Sequence, residues 1–309
     1  MSSGPIGFSG KTIVMTGATS QVGLPIVREL VAAGNEVLAL GRYGGKGSRE
    51  QIEGVGARPV VADIAEANFE GVPRDPDYLL NFAVLKDGDF EADIRMNAEG
   101  IGLLIGHCNE AKTVLHCSST AVYESAGHHQ LTETDPLGDN HRVLFPTYSI
   151  CKIAAETTVR FAARQWNIPT TIARLCVPYG DNGGWPYFHL EMMLAGMAIP
   201  VSHEDANLYN LLHEDDYIAK LPKLLDAATV PATIVNFGGS TATSIEQWCG
   251  YIGELIGVEP TFERSEQALS SVTIDTMRMH ELIGPTAVDW RDGIRRLIAA
   301  RRPDLELKA

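Results

Sequence analysis

The sequence predicts a doubly wound parallel α/β sheet followed by a smaller mixed C-terminal part. From Lys11 to Leu175, short apolar runs alternate with amphipathic stretches, the pattern of a parallel sheet covered on both faces by helices. A glycine-bearing turn stands between the first run and the first amphipathic stretch. After Leu175 the rhythm breaks at Pro178, Gly180, Gly183, Gly184 and Pro186, which marks a long loop or lid.

The candidate strands are 11–16, 36–40, 58–61, 78–82, 113–117 and 170–175. Each is a short, largely apolar run bounded by polar or glycine-containing segments. Helical periodicity, with apolar residues returning every three or four positions, predicts helices over 22–33, 90–110 and 148–166. Beyond the break, 207–212 and 233–237 read as strands and 245–256 and 290–300 as helices, with 301–308 as a charged, solvated tail. The expected division is a dinucleotide-binding domain over 1–176 with 204–240, and a substrate-binding part over 177–203 with 241–309.

Composition narrows the function classes. The 309 residues carry 25 Lys and Arg against 39 Asp and Glu, a formal charge of −14, which argues against a nucleic-acid partner. Apolar residues make up 45% of the chain, enough for a large core. The five cysteines form no C-x-x-C pair and are odd in number, so the expectation is reduced thiols with neither a disulfide framework nor a zinc site. His128 and His129 lack further ligands at metal spacing. There is no basic-then-apolar leader and no run near the roughly 18 apolar residues of a membrane span, so a cytoplasmic protein is expected.

The turn Thr16-Gly17-Ala18-Thr19-Ser20-Gln21-Val22-Gly23 lies where a strand hands over to a helix. There, backbone N–H groups and a helix start can face a pyrophosphate, as in a Rossmann sheet. Gly17, Thr19, Ser20, Gln21, Val22 and Gly23 are the candidate contacts, with Ser20 where a further glycine is usual. At the end of the second strand, Leu40-Gly41-Arg42 carries no acid for a ribose 2′-hydroxyl. Arg42 suits a 2′-phosphate, which favours NADP over NAD; the alternative is a solvated arginine in a flexible Gly41–Gly47 loop. Asp63 and Ile64 fall at the adenine position, where Asp63 is an amino-group acceptor or equally a helix N-cap. Phe82, Ala83 and Val84 follow strand four along the same cleft.

Tyr148-Ser149-Ile150-Cys151-Lys152 puts a phenol and an ammonium four residues apart on one helix face. A tyrosine ordinarily titrates near ~10, and a fixed ammonium beside it favours the phenolate needed for proton exchange during hydride transfer. Ser118-Ser119-Thr120-Ala121-Val122-Tyr123 emerges at a strand's carboxyl end, where ligands of such sheets sit. Ser119 can orient a substrate oxygen towards Tyr148, whereas Ser118 reads as an ordinary turn residue. Lys86, Thr120, Val177 and Tyr187 are further candidate substrate contacts, as are Leu85, Tyr123, Phe188 and His189 by position.

Taken together these residues resemble the extended short-chain dehydrogenase/reductases, the group that holds the NAD-dependent epimerases and dehydratases. The resemblance runs from about Lys11 to Ala300. It includes Asn81-Phe82-Ala83, Asn97 within Arg95–Gly100, Arg174-Leu175-Cys176-Val177-Pro178-Tyr179-Gly180, His213-Glu214-Asp215-Asp216 and Asn236-Phe237-Gly238-Gly239. It implies Ser119, Tyr148 and Lys152 as the catalytic set and Asn97 as support for a water-mediated proton relay. It further implies that Lys152 holds the nicotinamide ribose, that the backbone near Pro178 approaches the carboxamide, and that the 90–110 and 148–166 helices form a homodimer bundle. His213–Asp216 reads as a structural helix start.

Two departures qualify the resemblance. Thr120-Ala121 stands where dehydratases of the family carry an acidic pair, which disfavours sugar dehydration, and Val177 replaces an Asn common in sugar-nucleotide enzymes. The functions that remain are a net NAD(P)-dependent dehydrogenase or reductase acting on a secondary alcohol or ketone, an epimerase with transient hydride transfer, and a non-catalytic cofactor sensor. An intact Tyr148/Lys152 pair weighs against the sensor.

Overall fold

The computed structural model describes residues 6–308. Seven strands form one sheet: β1 (Thr12–Thr16), β2 (Glu36–Gly41), β3 (Arg58–Val61), β4 (Tyr78–Asn81), β5 (Thr113–Ser119), β6 (Thr170–Leu175) and β7 (Thr233–Phe237). Every pairing is parallel and the order is β7-β6-β5-β4-β1-β2-β3. The chain therefore reverses its winding between β1 and β4, and a crevice opens outside the carboxyl ends of those strands.

Alternation along the strands assigns the two faces. Ile13 and Met15 of β1 point into one core with Leu30 of helix α1 (Gly23–Ala32), while Val14 points into the other with Ile101 and Val159. Both faces are apolar because both are covered, so the strands read as continuous hydrophobic runs. A third core, centred on the fully buried Trp248 with Tyr209, Leu190, Ile252 and Leu297, holds the C-terminal part together.

The structure departs from the periodicity in four places. The single helix expected over 90–110 is an α-turn segment Phe90–Ile94, a π-turn Arg95–Glu99 and an α-helix Gly100–His107. The cause is local: the Asn97 side chain donates to the Asp93 carbonyl at 2.7 Å, taking the acceptor that a regular α-helix gives to its own backbone. The expected strand 207–212 is two short strands, Leu208–Tyr209 and Leu212–His213, because Asn210 turns its amide to Gly239 and Ile274. The expected lid loop is a short hairpin, Pro178–Gly180 with Gly183–Gly184, leading into an ordered helix Trp185–Leu194. The tail is tied down: Arg302 pairs with Glu191 at 3.1 Å, Lys308 N–H donates to Leu255, and Leu305 and Leu307 pack on the third core.

Candidate active site

A cleft of about 590 Å³ runs along the carboxyl ends of β1 to β4, floored by the glycine turn. Gly17 sits at φ +70°, and a Cβ there would lie 2.4 Å from the Phe82 carbonyl carbon; at Gly23 it would lie 2.2 Å from the Gly17 oxygen. Chain-on-chain packing thus excludes side chains at both positions. Ser20 makes up for the absent glycine by capping, since its Oγ accepts the Gly23 N–H at 2.9 Å. The N–H groups of Gln21 and Val22 have no acceptor among the described residues, which leaves a helix start fit to receive an anion. Thr19 lines the same floor, and Gln21 reaches away to the Pro178 carbonyl at 3.4 Å.

Arg42 is exposed at the rim of this cleft, without an ion-pair partner among the described residues. The stretch after it is tied back to β2 at one point before the next helix. Tyr43, at φ +49°, folds back to donate to the Ala39 carbonyl at 2.6 Å, and its phenol is pushed up to about 12 by burial; a helix then begins at Ser48. Asp63 caps no helix: its Oδ1 accepts the Ala65 N–H at 3.0 Å in a turn, with the buried Ile64 beside it. Phe82, Ala83 and Val84 line the opposite wall, where Ala83 N–H donates to Thr16 Oγ1 at 3.2 Å. A groove of this length, with backbone donors at one end and a cation at the rim, fits a dinucleotide.

A second cavity of about 610 Å³ meets the first at Ser20, Phe82 and Val84, and Ser119, Thr120, Tyr148 and Lys152 all line it. Tyr148 opens a 19-residue helix, α2 (Tyr148–Trp166), so Lys152 follows one turn later. Lys152 Nζ donates to the Cys117 carbonyl at 2.8 Å and lies 5.9 Å from the Tyr148 ring centroid. Ser119 ends β5, its Oγ accepting the Ala121 N–H at 3.1 Å. Behind them Glu156 grips Arg174 through two bonds of 2.9 and 2.8 Å and accepts from Ser118 Oγ at 2.6 Å. Ser118 is therefore more than a turn residue: it joins β5 to the helix that carries Tyr148.

Asn97 is placed differently from the expectation. Its amide donates to the Leu85 and Asp93 carbonyls, both at 2.7 Å, and its carbonyl accepts the Leu85 N–H at 2.9 Å. With its donors spent on backbone, the side chain braces the segment after β4 instead of lining the cavity. Tyr187 also faces away, under the Arg301 guanidinium at 4.8 Å, while Trp185 and Phe188, three apart on one helix face, line the cavity. His189 is buried, accepts the Trp248 indole N–H at 2.9 Å, and is pushed down to about 4 by burial. Tyr123 lies inside the protein, its ring 4.8 Å from the Arg174 guanidinium carbon. Val177, at φ +24°, and Pro178 line the cavity, and Leu85 lines the dinucleotide cleft.

Lys86 lines the cavity with its ammonium 3.9 Å from the Phe145 ring centroid and 5.9 Å from that of Tyr148; burial lowers its pKa below the usual lysine range. His141 beside it is held down to about 4 by burial and by the Lys86 charge, hence neutral at ordinary pH. Sequence reasoning missed His141, Leu144, Phe145, Tyr209, Leu269 and Val272 as lining residues. Leu144-Phe145, an apolar pair just before Tyr148, was a visible signal. Leu269 and Val272 carried none, because they reach the cavity from a separate C-terminal segment.

A model of the family described as "NAD dependent epimerase/dehydratase family" matches residues 13–238. Among curated proteins, the chain is 24% identical over 266 residues to the low-salt glycan biosynthesis protein Agl12 of Haloferax volcanii, covering 79% of this chain and 82% of that one. It is 22% identical over 306 residues to a dTDP-4-dehydro-6-deoxy-D-allose reductase of Streptomyces sp., covering 89% and 91%. Among solved structures, a UDP-glucose 4-epimerase of Thermotoga maritima with UDP-glucose shares the fold at TM-score 0.80 and 19% identity, covering 95% of this chain and 99% of that one. MoeE5 in complex with UDP-glucose and NAD does so at TM-score 0.79 and 21% identity, with 95% and 99% covered. The ordered motifs, the seven-stranded parallel sheet and the family match agree, and the chain belongs to the NAD dependent epimerase/dehydratase family.

Proposed function

We propose that the protein is an NADP-using oxidoreductase that moves hydride to or from a secondary carbinol or ketone of a small molecule. One observation carries the reading: Ser119, Tyr148 and Lys152 line a single cavity that opens into the dinucleotide cleft at Ser20, Phe82 and Val84. A bound nicotinamide dinucleotide supplies the hydride donor or acceptor at that junction. Ser119 Oγ holds the substrate oxygen, Tyr148 Oη exchanges its proton, and Lys152, fixed on the Cys117 carbonyl, keeps a positive charge beside the phenol and engages the nicotinamide ribose. Gln21, Val22 and the turn glycines seat the pyrophosphate, and Asp63 takes the adenine. Arg42, at the end of β2 where Leu40-Gly41-Arg42 carries no acid, supports the NADP preference.

A second reading, an epimerase that keeps its cofactor and returns the hydride to the other face, is favoured by the family and by the UDP-glucose 4-epimerase likeness in fold. The chain divides its work between the sheet part, 1–176 with 204–240, and a substrate-binding part, 177–203 with 241–309. A homodimer through the faces of Gly100–His107 and Tyr148–Trp166 is supported by exposed Leu103 and Phe161. A cytoplasmic setting follows from the reduced-thiol reading of the sequence; among the described residues no helix is long and apolar enough to cross a membrane. The test is to analyse the purified protein for retained nucleotide and then titrate it with NADPH and NADH. Exchangeable binding that favours NADPH supports the oxidoreductase, and NAD retained through purification turns the reading to the epimerase.

A further inference from the structure

The clamp around Lys86 is the feature that the proposed chemistry leaves unused. Leu85, just before it, has both its N–H and its C=O bonded to the Asn97 amide, at 2.9 and 2.7 Å. Asp87 and Gly88, just after it, donate their N–H groups to the two oxygens of Asp93 at 3.2 and 3.0 Å. Asp93 is fully buried and also accepts Thr147 Oγ1 at 2.6 Å, the residue before Tyr148. Lys86 is thus fixed from both sides, and in register with Tyr148, by two buried side chains of the kinked 90–99 segment. Its ammonium rests over an aromatic ring and has no hydrogen-bond acceptor or counter-ion among the described residues. Lys86 is exposed, so water solvates its ammonium at rest, and, with no partner to displace among the described residues, it is free to pair with a negative group that enters the cavity.

The rest of the wall points the same way. Among the described residues no carboxylate and no arginine lines the cavity, and Lys152, its other cation there, is bonded to the Cys117 carbonyl. The arginines of the C-terminal part are engaged elsewhere: Arg264 on the Ser202 and Glu204 carbonyls, Arg296 on Asp215, Arg301 on Tyr187 and Arg302 on Glu191. A nucleoside diphosphate asks for several cations or arginine forks, and among the described residues this cavity offers one free ammonium beside walls such as Val177, Trp185, Phe188, Leu269 and Val272. Resting on the oxidoreductase reading above, we infer that the substrate is a non-nucleotide hydroxy or oxo carboxylate with an apolar tail, its carboxylate paired with Lys86 while its carbinol or carbonyl faces Tyr148. Asn97 and Asp93 act here as positioning residues.

The experiment uses the full chain loaded with NADPH and follows Trp fluorescence during titration with phenylpyruvate, its methyl ester and UDP-glucose, for the wild type and for Lys86→Met and Lys86→Arg. The expected result is that phenylpyruvate binds, that Lys86→Met weakens it by at least about tenfold and Lys86→Arg by less, and that the ester binds weakly and equally to all three. The inference is overturned if the acid does not bind, if Lys86→Met leaves its binding unchanged, if the ester matches the acid, or if UDP-glucose binds more tightly than the acid. NADPH affinity, measured in the same samples, separates the two claims. Normal NADPH binding with any of those results sinks the carboxylate assignment alone, whereas failure to bind NADPH or NADH sinks the oxidoreductase reading beneath it.

Discussion

The dinucleotide cleft and the adjoining cavity are close in volume, about 590 and 610 Å³, yet they are built in opposite ways. The cleft is made by strand ends and one tight turn, with its key groups within a few residues of β1, β2 and β4. The cavity is made by side chains from segments scattered between Ser20 and Val272. A backbone-built site depends on the sheet and on the two glycines that let its chain segments meet, whereas a side-chain-built site depends on how separate elements are held together. The comparison is therefore best probed by changes that damage one space and spare the other.

The largest expected effect is at the tie between β5 and the Tyr148–Trp166 helix. Glu156→Ala leaves Arg174, 2% exposed, as a buried charge without its partner, and should cost about 3–5 kcal/mol of stability. A melting curve checks it, and NADPH binding below the lowered melting temperature should persist because the cleft does not use this pair. A melting temperature within error of the wild type would show that the tie does not hold the cavity together.

Acidification should come next, and His189, packed against Trp185 of the cavity wall, is one group through which it acts. His189 is held by burial at about 4, below its ordinary 6.5, and must stay neutral to accept the Trp248 indole N–H. The folded state then binds fewer protons than the unfolded one between those values. Its contribution, roughly 3 kcal/mol, is complete above pH 6.5 and is lost as the pH falls towards 4. The slope of melting temperature against pH over that window should be shallower in His189→Gln, and an unchanged slope would contradict the assignment. The smallest expected effect sharpens the cleft: Arg42→Ala should weaken NADPH by about tenfold and leave NADH unchanged, as read by titration.

The same contrast explains what was legible in the sequence. The sheet, the glycine turn and the Tyr148/Lys152 pair are local patterns, visible in a window of a few residues. The π-turn at Arg95–Glu99 was not, because the Asn97 amide that takes the Asp93 carbonyl is also held by Leu85, twelve residues back. Tyr187 and Phe188 are neighbours in sequence, but a helix turns about 100° per residue, and only knowledge of which face meets the cavity separates them. Leu269 and Val272 enter from far along the chain with no motif of their own. Ser20 shows the reverse case: an apparent departure at the turn is a substitute cap, readable once the Gly23 N–H has been placed.

The most direct test of the central claim is NADPH consumption by Tyr148→Phe compared with the wild type, across a panel of oxo carboxylates and neutral ketones, with NADPH affinity measured alongside. The account predicts unchanged NADPH binding and turnover reduced by at least about a hundredfold, the usual worth of a general acid or base. Turnover retained by the variant, at unchanged affinity, would contradict it and remove Tyr148 from the chemistry.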